Sequence, residues 1–290
     1  MPTDIGAGYR PAWMDAKQEL LGRIIDDELW TIYGIVRKWP AWAWHGALLL
    51  DLTAGPGLVG GKKGSPLVAL DVARRLGTRL PVHAYFFERH KPAYEALHAQ
   101  LVVEQQRDPL PWTGGVGPWM AHLRAVPGDT AQTVAHFLSG RYGWPGPGYV
   151  HGLVYADPNG LLPAAALRAL AADPRLDHVD FLVRPNCLTY KRVAQVRAGG
   201  KPTPMLMPQA NLESELQSLG KQYLWLTEPE PRWRFTFFWL SNYPHLARGL
   251  RQYFAPLDSA VGQRRLRKAL GQDGATLARL QPGLWDDASA

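Results

Sequence analysis

The stretch Asp157-Pro158-Asn159-Gly160 stands closest to chemistry. An exocyclic amine is a poor nucleophile because its lone pair is shared with its ring. A carboxylate and a backbone carbonyl that accept its two N–H bonds favour attack, and Asp157 with the Pro158 carbonyl could form that pair. Group transfer by in-line displacement then asks for alignment and no metal. The four residues are also turn formers, and a plain tight turn is the competing reading. Upstream, the loop Asp51-Leu52-Thr53-Ala54-Gly55-Pro56-Gly57 carries two glycines that let backbone approach a ligand closely and permit positive φ. Glu88 can accept hydrogen bonds from both hydroxyls of a ribose. Asp129 either accepts from an adenine amino group or caps the helix after it.

These residues need elements that bring them to one edge. Continuous apolar runs predict buried strands at 47–52, 82–87, 123–126, 153–156 and 179–183. Helical spacing predicts helices at 16–38, 66–76, 92–105, 130–138 and 163–172, with Ser65-Pro66 as a start signal and Gly77 as a stop. Two further strand-like runs, 222–226 and 234–240, flank Thr227-Glu228-Pro229-Glu230-Pro231 and read as an antiparallel hairpin at the sheet edge. The fold class expected is α/β: a doubly wound, mostly parallel sheet with an antiparallel C-terminal hairpin. The expected division is an N-terminal helical extension (1–45), a core (46–243) and a C-terminal helical extension (244–290), with residues 246–270 helical. In such a sheet, ligands bind beyond the carboxyl ends of the strands, where Asp51, Glu88, Asp129, Asp157 and Arg184 fall. The layout is similar to the class I, Rossmann-like methyltransferases. A dinucleotide fingerprint fits poorly, because no helix opens at the third glycine position.

A narrower resemblance rests on Leu49-Leu50-Asp51-Leu52-Thr53-Ala54-Gly55-Pro56-Gly57, Gly64-Ser65-Pro66-Leu67-Val68-Ala69-Leu70, Tyr85-Phe86-Phe87-Glu88 and Asp157-Pro158-Asn159-Gly160. Together these resemble the three-Cys-motif partner proteins, a bacterial group, over roughly residues 16–245. The resemblance implies S-adenosyl-L-methionine held by Asp51, Thr53, Gly55, Gly57, Glu88 and Asp129, and a protein partner encoded nearby. It implies methyl transfer at Asp157, Pro158 and Asn159. The group's fourth-strand motif usually reads D-P-F-G, as in tRNA guanine-N2 methyltransferases, where the aromatic stacks on the target base. Here Asn159 replaces it. Tyr155, Trp144 and Tyr190 are the candidates for a substitute platform.

The 290-residue chain has a formal charge of +7 and a pI near 9.5, which favours a polyanionic partner, DNA or RNA. Arg184, Tyr190, Lys191 and Arg192, with Tyr155, are the candidate acceptor-binding residues. Arg197 and Lys201 extend that basic cluster, and Arg264, Arg265, Arg267 and Lys268 form a second basic run. Cys187 is the single cysteine. It follows the fifth strand, where RNA cytosine-5 methyltransferases place a nucleophilic cysteine, although a lone cysteine is ordinarily inert packing. The sequence has no zinc-ligand spacing, P-loop or serine elbow. It has no apolar run of about 18 residues and no signal-peptide pattern, so the expected location is the cytoplasm. Two functions follow as expectations: a methyltransferase acting on a nucleic-acid base, with an exocyclic amine favoured, or a methyltransferase-fold protein that binds nucleic acid or protein without turnover.

Overall fold

A computed structural model of the chain describes residues 13–39, 43–76, 79–107, 120–142, 149–158, 160–187, 189–190, 207–230 and 235–272. Helix α1 (Trp13–Lys38) is followed by β1 (Ala43–Asp51), a small ribbon β2 (Leu58–Val59) and β3 (Lys62–Lys63), and α2 (Ser65–Leu76). Next come β4 (Val82–Glu88), α3 (Lys91–Arg107), β5 (Met120–Pro127), α4 (Thr130–Leu138), β6 (Tyr149–Ala156), α5 (Ala164–Ala172) and β7 (Val179–Val183). The rest is α6 (Met207–Gln217), β8 (Tyr223–Thr227), β9 (Phe238–Ser241), β10 (Phe254–Pro256) and α7 (Ala260–Ala269).

The eight-stranded sheet has the order β10-β8-β9-β7-β6-β1-β4-β5. From β5 through β7 every neighbouring pair is parallel, and from β7 outward every pair is antiparallel. β9 therefore inserts between β7 and β8, so the hairpin extends the sheet rather than lying against it. The chain winds outward from β1 through β4 to β5, then crosses to β6 on the other side of β1. The β1–β6 seam is thus the topological switch point, where such sheets open a crevice for ligands.

Alternation along the strands explains why both faces are covered. Ala47 and Leu49 of β1, with Ala84 and Phe86 of β4, enter a core shared with Leu21, Ile24 and Leu29 of α1 and Leu70 of α2. Leu48 and Leu50, with Tyr85 and Phe87, enter the other core with Val134, Phe137, Leu167 and Leu170. Each fully buried side chain of this size contributes about 2 kcal/mol of burial free energy. A strand with two apolar faces is continuous in its apolarity, which is the pattern seen at 47–50.

Three features depart from expectation. Residues 58–64, for which no element was expected, fold into the β2–β3 ribbon, turned by Gly60 and Gly61, which both have positive φ (54° and 74°) as a two-residue hairpin turn requires. The stretch 246–270, expected to be helical, is interrupted by β10, whose Phe254 is buried against Trp239. The second hairpin strand was expected at 234–240. The ladder runs over Phe238–Ser241, with Phe237 still accepting from the Thr227 N–H.

Candidate functional site

The glycine loop is stapled across the switch point. The Leu52 N–H donates to the Tyr155 carbonyl of β6 at 2.9 Å, and the Ala54 N–H donates to the Phe87 carbonyl of β4 at 3.1 Å. Asp51 lies beneath the loop. One carboxylate oxygen accepts the Thr53 N–H at 2.9 Å and the other accepts the Ser65 hydroxyl at 2.6 Å. Burial pushes its pKa up to about 7, against the lowering effect of those two donors. Asp51 was expected to touch a ligand; buried and with both oxygens engaged, it instead ties the loop to the start of α2. Gly57, also expected at the ligand, has φ 81°, and a Cβ there would meet Leu97 of α3 at 3.2 Å. Its lack of a side chain serves helix packing. Ser65 was missed as a functional position, although the Ser65-Pro66 start signal was legible.

Gly55 differs from Gly57. Its φ is 70°, and a Cβ there would meet nothing within 4 Å, so this backbone faces open space. Its N–H donates to Glu88 Oε2 at 2.8 Å, while Glu88 Oε1 accepts the His90 N–H at 2.6 Å. Glu88 at the tip of β4 therefore fixes the loop with one oxygen and its own turn with the other. Asp129 caps α4, accepting the Ala131 N–H at 3.0 Å. Of its two candidate roles, the cap is present. Thr53, Gly55, Glu88, Asp129, Asp157 and Pro158 line one cavity of about 700 Å³ at the carboxyl ends of β1, β4, β5 and β6.

Asp157 stands at the centre of a buried polar cluster. Its N–H donates to Thr53 Oγ1 at 2.7 Å, joining the β6 turn to the glycine loop. Oδ2 receives Lys17 Nζ at 2.7 Å and the Tyr155 hydroxyl at 3.1 Å, and Oδ1 pairs with Arg184 Nε. The side chains of Lys17 and Asp157 are each 9% exposed. Lys17 comes from α1, 140 residues away in sequence, and no local signal marked it. Arg184 was expected to meet the acceptor; it lies against Asp157 instead, positioned by its own N–H bonding the Ala156 carbonyl.

Two expected platforms are corrected. Tyr155 is buried in the core, 5% exposed, and its ring packs near Phe237. Tyr190 is buried at 3% on the other face. Neither ring offers a face for stacking on a base. Cys187 is buried too, and burial pushes its thiol up to about 12, so it carries no thiolate at neutral pH. That favours the inert-packing reading of this cysteine. Asn159, Trp144, Lys191, Arg192, Arg197 and Lys201 lie outside the described residues. In the C-terminal run, Arg265 donates to the Leu226 and Tyr253 carbonyls and pairs with Glu228, as Lys268 does. These two tie α7 to the sheet edge. Among the described residues no helix is long and apolar enough to cross a membrane, and no group of three His, Cys, Asp or Glu side chains is placed to hold a metal ion.

Solved structures similar to this chain include three methyltransferases by assignment. One from Escherichia coli has a TM-score of 0.35 at 16% identity, over 73% of this chain and 87% of its own. One from Staphylococcus aureus, assigned as a caffeoyl-CoA O-methyltransferase, has 0.37 at 10%, over 73% and 82%. One from Methanococcus maripaludis, assigned as S-adenosyl-L-methionine-dependent, has 0.36 at 11%, over 80% and 92%. No protein-family model matches the chain, and no curated protein matches its sequence. The fold class rests on the strand order: a mostly parallel α/β sheet with an inserted antiparallel strand.

Proposed function

We propose that this chain is an S-adenosyl-L-methionine-dependent methyltransferase, within the wider group that the three-Cys-motif partner proteins exemplify. The observation that carries this reading is the convergence of Thr53, Gly55, Glu88, Asp129 and Asp157 on one cavity at the switch point. The residues fit the cofactor. The space beside Gly55 would be filled by any Cβ, and it lets backbone approach a nucleoside. A carboxylate has about four acceptor directions; two of those on Glu88 hold backbone N–H groups, which leaves others for ribose hydroxyls. Asp129 and the α4 N-terminus line the same cavity and could accept an adenine edge.

When bound, the cofactor supplies an electrophilic methyl group on a sulfonium. The chain's own contribution is placement: Thr53 fixes the Asp157 turn against the loop, and the Pro158 carbonyl with Asp157 holds an acceptor amine. A nucleic-acid base amine is the acceptor this reading favours, supported by the +7 charge and the acid-bearing β6 turn. One observation favours the second reading, a binding protein without turnover: Lys17, Arg184 and Tyr155 already crowd the Asp157 carboxylate. An acceptor amine must compete with them. The test is incubation of the full chain with methyl-labelled cofactor and total DNA or RNA. Label in polymer that disappears in Asp157→Ala supports transfer. Cofactor binding by calorimetry with no label in any polymer supports the second reading, and no cofactor binding sinks the first.

A further inference from the structure

A second cavity, of about 840 Å³, opens at the other edge of the sheet, at the starts of β6 and β7 and the end of β9, under α1. Ile32 and Ile35 of α1, with Trp239 and Leu246, make apolar walls. Three acids line it, and two of them face its interior from regular elements: Glu28 from α1, which is 6% exposed, and Asp180 from β7. Ser241 and Trp239 stand beside Asp180, and its Oδ1 is buried and meets no donor. A ligand that donates there satisfies an acceptor that the fold leaves unmet.

The aromatic side of the cavity is ordered. His151 and His178 have ring centroids 4.9 Å apart, and His178 stacks on Tyr243 at 5.4 Å with planes 11° apart. The Tyr243 hydroxyl bonds His178 Nδ1. Burial lowers both imidazoles, His151 to about 4, so both are neutral at pH 7. The buried Lys221 reaches Asp180 electrostatically, but its ammonium lies over the Phe181 ring and against the Leu176 and Asp177 carbonyls. His245 and Asp177 complete the titratable groups of the lining. Two acids, an unmet acceptor and aromatic walls together suit a cation with an apolar body. An anion would be opposed by the acids, and an ammonium brings them a positive charge that a neutral donor does not.

We propose that this cavity binds a small organic ammonium ion, its amine donating to Asp180 and Glu28 and its apolar body lying between Ile35, Trp239 and Leu246. The site is independent of the strand-end cavity and of any methyl transfer. Calorimetric titration of the full chain with phenethylammonium chloride, 3-phenylpropanol and sodium phenylacetate tests it. The ammonium should bind at least about ten-fold more tightly than the alcohol, and phenylacetate not at all, a difference of about 1.4 kcal/mol or more. Asp180→Asn should erase that preference. Glu28→Gln serves as the second charge variant if the first fails to fold. Ile35→Trp, at a half-buried wall position, should block the ammonium while leaving the circular dichroism spectrum and Tm unchanged. Equal binding of the three probes, no saturable binding of the ammonium, or wild-type affinity in a folded Asp180→Asn or Glu28→Gln chain would each overturn the proposal.

Discussion

Glu88 carries two jobs, and they can be separated. One oxygen anchors the Gly55 N–H, and under the methyltransferase reading the carboxylate also accepts from a ribose. Glu88→Gln keeps a carbonyl oxygen for Gly55 but loses the charge, and cofactor affinity should drop about 10- to 100-fold, the worth of a charge-assisted hydrogen bond. Glu88→Ala should abolish measurable binding in calorimetry; unchanged affinity in both variants would show that the loop binds nothing through this residue. Thr53 gives a second residue-scale prediction. Its hydroxyl is the acceptor for the Asp157 N–H, and Thr53→Val removes that acceptor at nearly constant volume. The variant should lose about 1–3 kcal/mol in urea unfolding. Under the methyltransferase reading it should also lower kcat more than it raises the KM for cofactor, because the Asp157 turn shifts while Glu88 stays.

At the scale of elements, the β1–β6 seam decides how accurately Asp157 meets the glycine loop. Gly152 pairs with Leu48 across it, and a Cβ at Gly152 would fall 2.2 Å from the Leu48 carbonyl oxygen. The two strands cannot part without breaking the parallel ladder. Gly152→Ala should therefore cost about 3 kcal/mol or more, read as a lower urea midpoint, and a change under about 0.5 kcal/mol would contradict the close approach. Helix α1 bears on the same site from outside the sheet. Lys17→Met removes one of two cations from a nearly buried carboxylate, with Arg184 left in place. The loss should be about 2 kcal/mol, below that of a fully orphaned charge.

Over the whole molecule, burial sets the pH response. Asp51 and Asp180 are raised to about 7, and Glu28 is raised well above its ordinary value. A raised acid binds more protons folded than unfolded, so its share of stability is full below about pH 4 and is lost as pH rises through the folded pKa. His151 and His178 are lowered. Their share is full above about 6.5 and is lost as pH falls. Between about pH 4 and 6.5 the two sets oppose each other. Above about 6.5 only the acids act, and stability should fall with pH at up to about 1.4 kcal/mol per pH unit for each acid. Urea midpoints from pH 6.5 to 8 check this, and a flat or rising profile would contradict it. The basic balance gives a second molecular prediction. If a nucleic acid is the acceptor, its affinity should fall steeply with salt, and salt-independent binding would argue against phosphate contacts.

The sequence by itself determined what depends on neighbours in the chain. Apolar runs at 47–50, 82–87 and 179–183 suited strands buried on both faces, and Asp129 could cap the helix after it whatever else it touched. The acids at the strand ends were legible for the same reason, since a parallel sheet places every strand's carboxyl end on one edge. Tertiary structure alone decided which of those acids line the strand-end cavity and which are spent on the fold. Asp51 and Asp157 look alike in sequence. One is sealed under the loop by Ser65 and Thr53, and the other is clamped by Lys17 and Arg184 from distant elements. The aromatic identities misled in the same way: Tyr155 and Tyr190 have the right chemistry for stacking, but strand alternation and helix packing turned both inward. The cavity around Asp180 was invisible from sequence, because it is built by α1, β6, β7 and β9, whose residues meet only after the sheet closes. At Asp157, the residue where chemistry was first sought, sequence supplied the carboxylate, and the fold supplied the two cations that now share it.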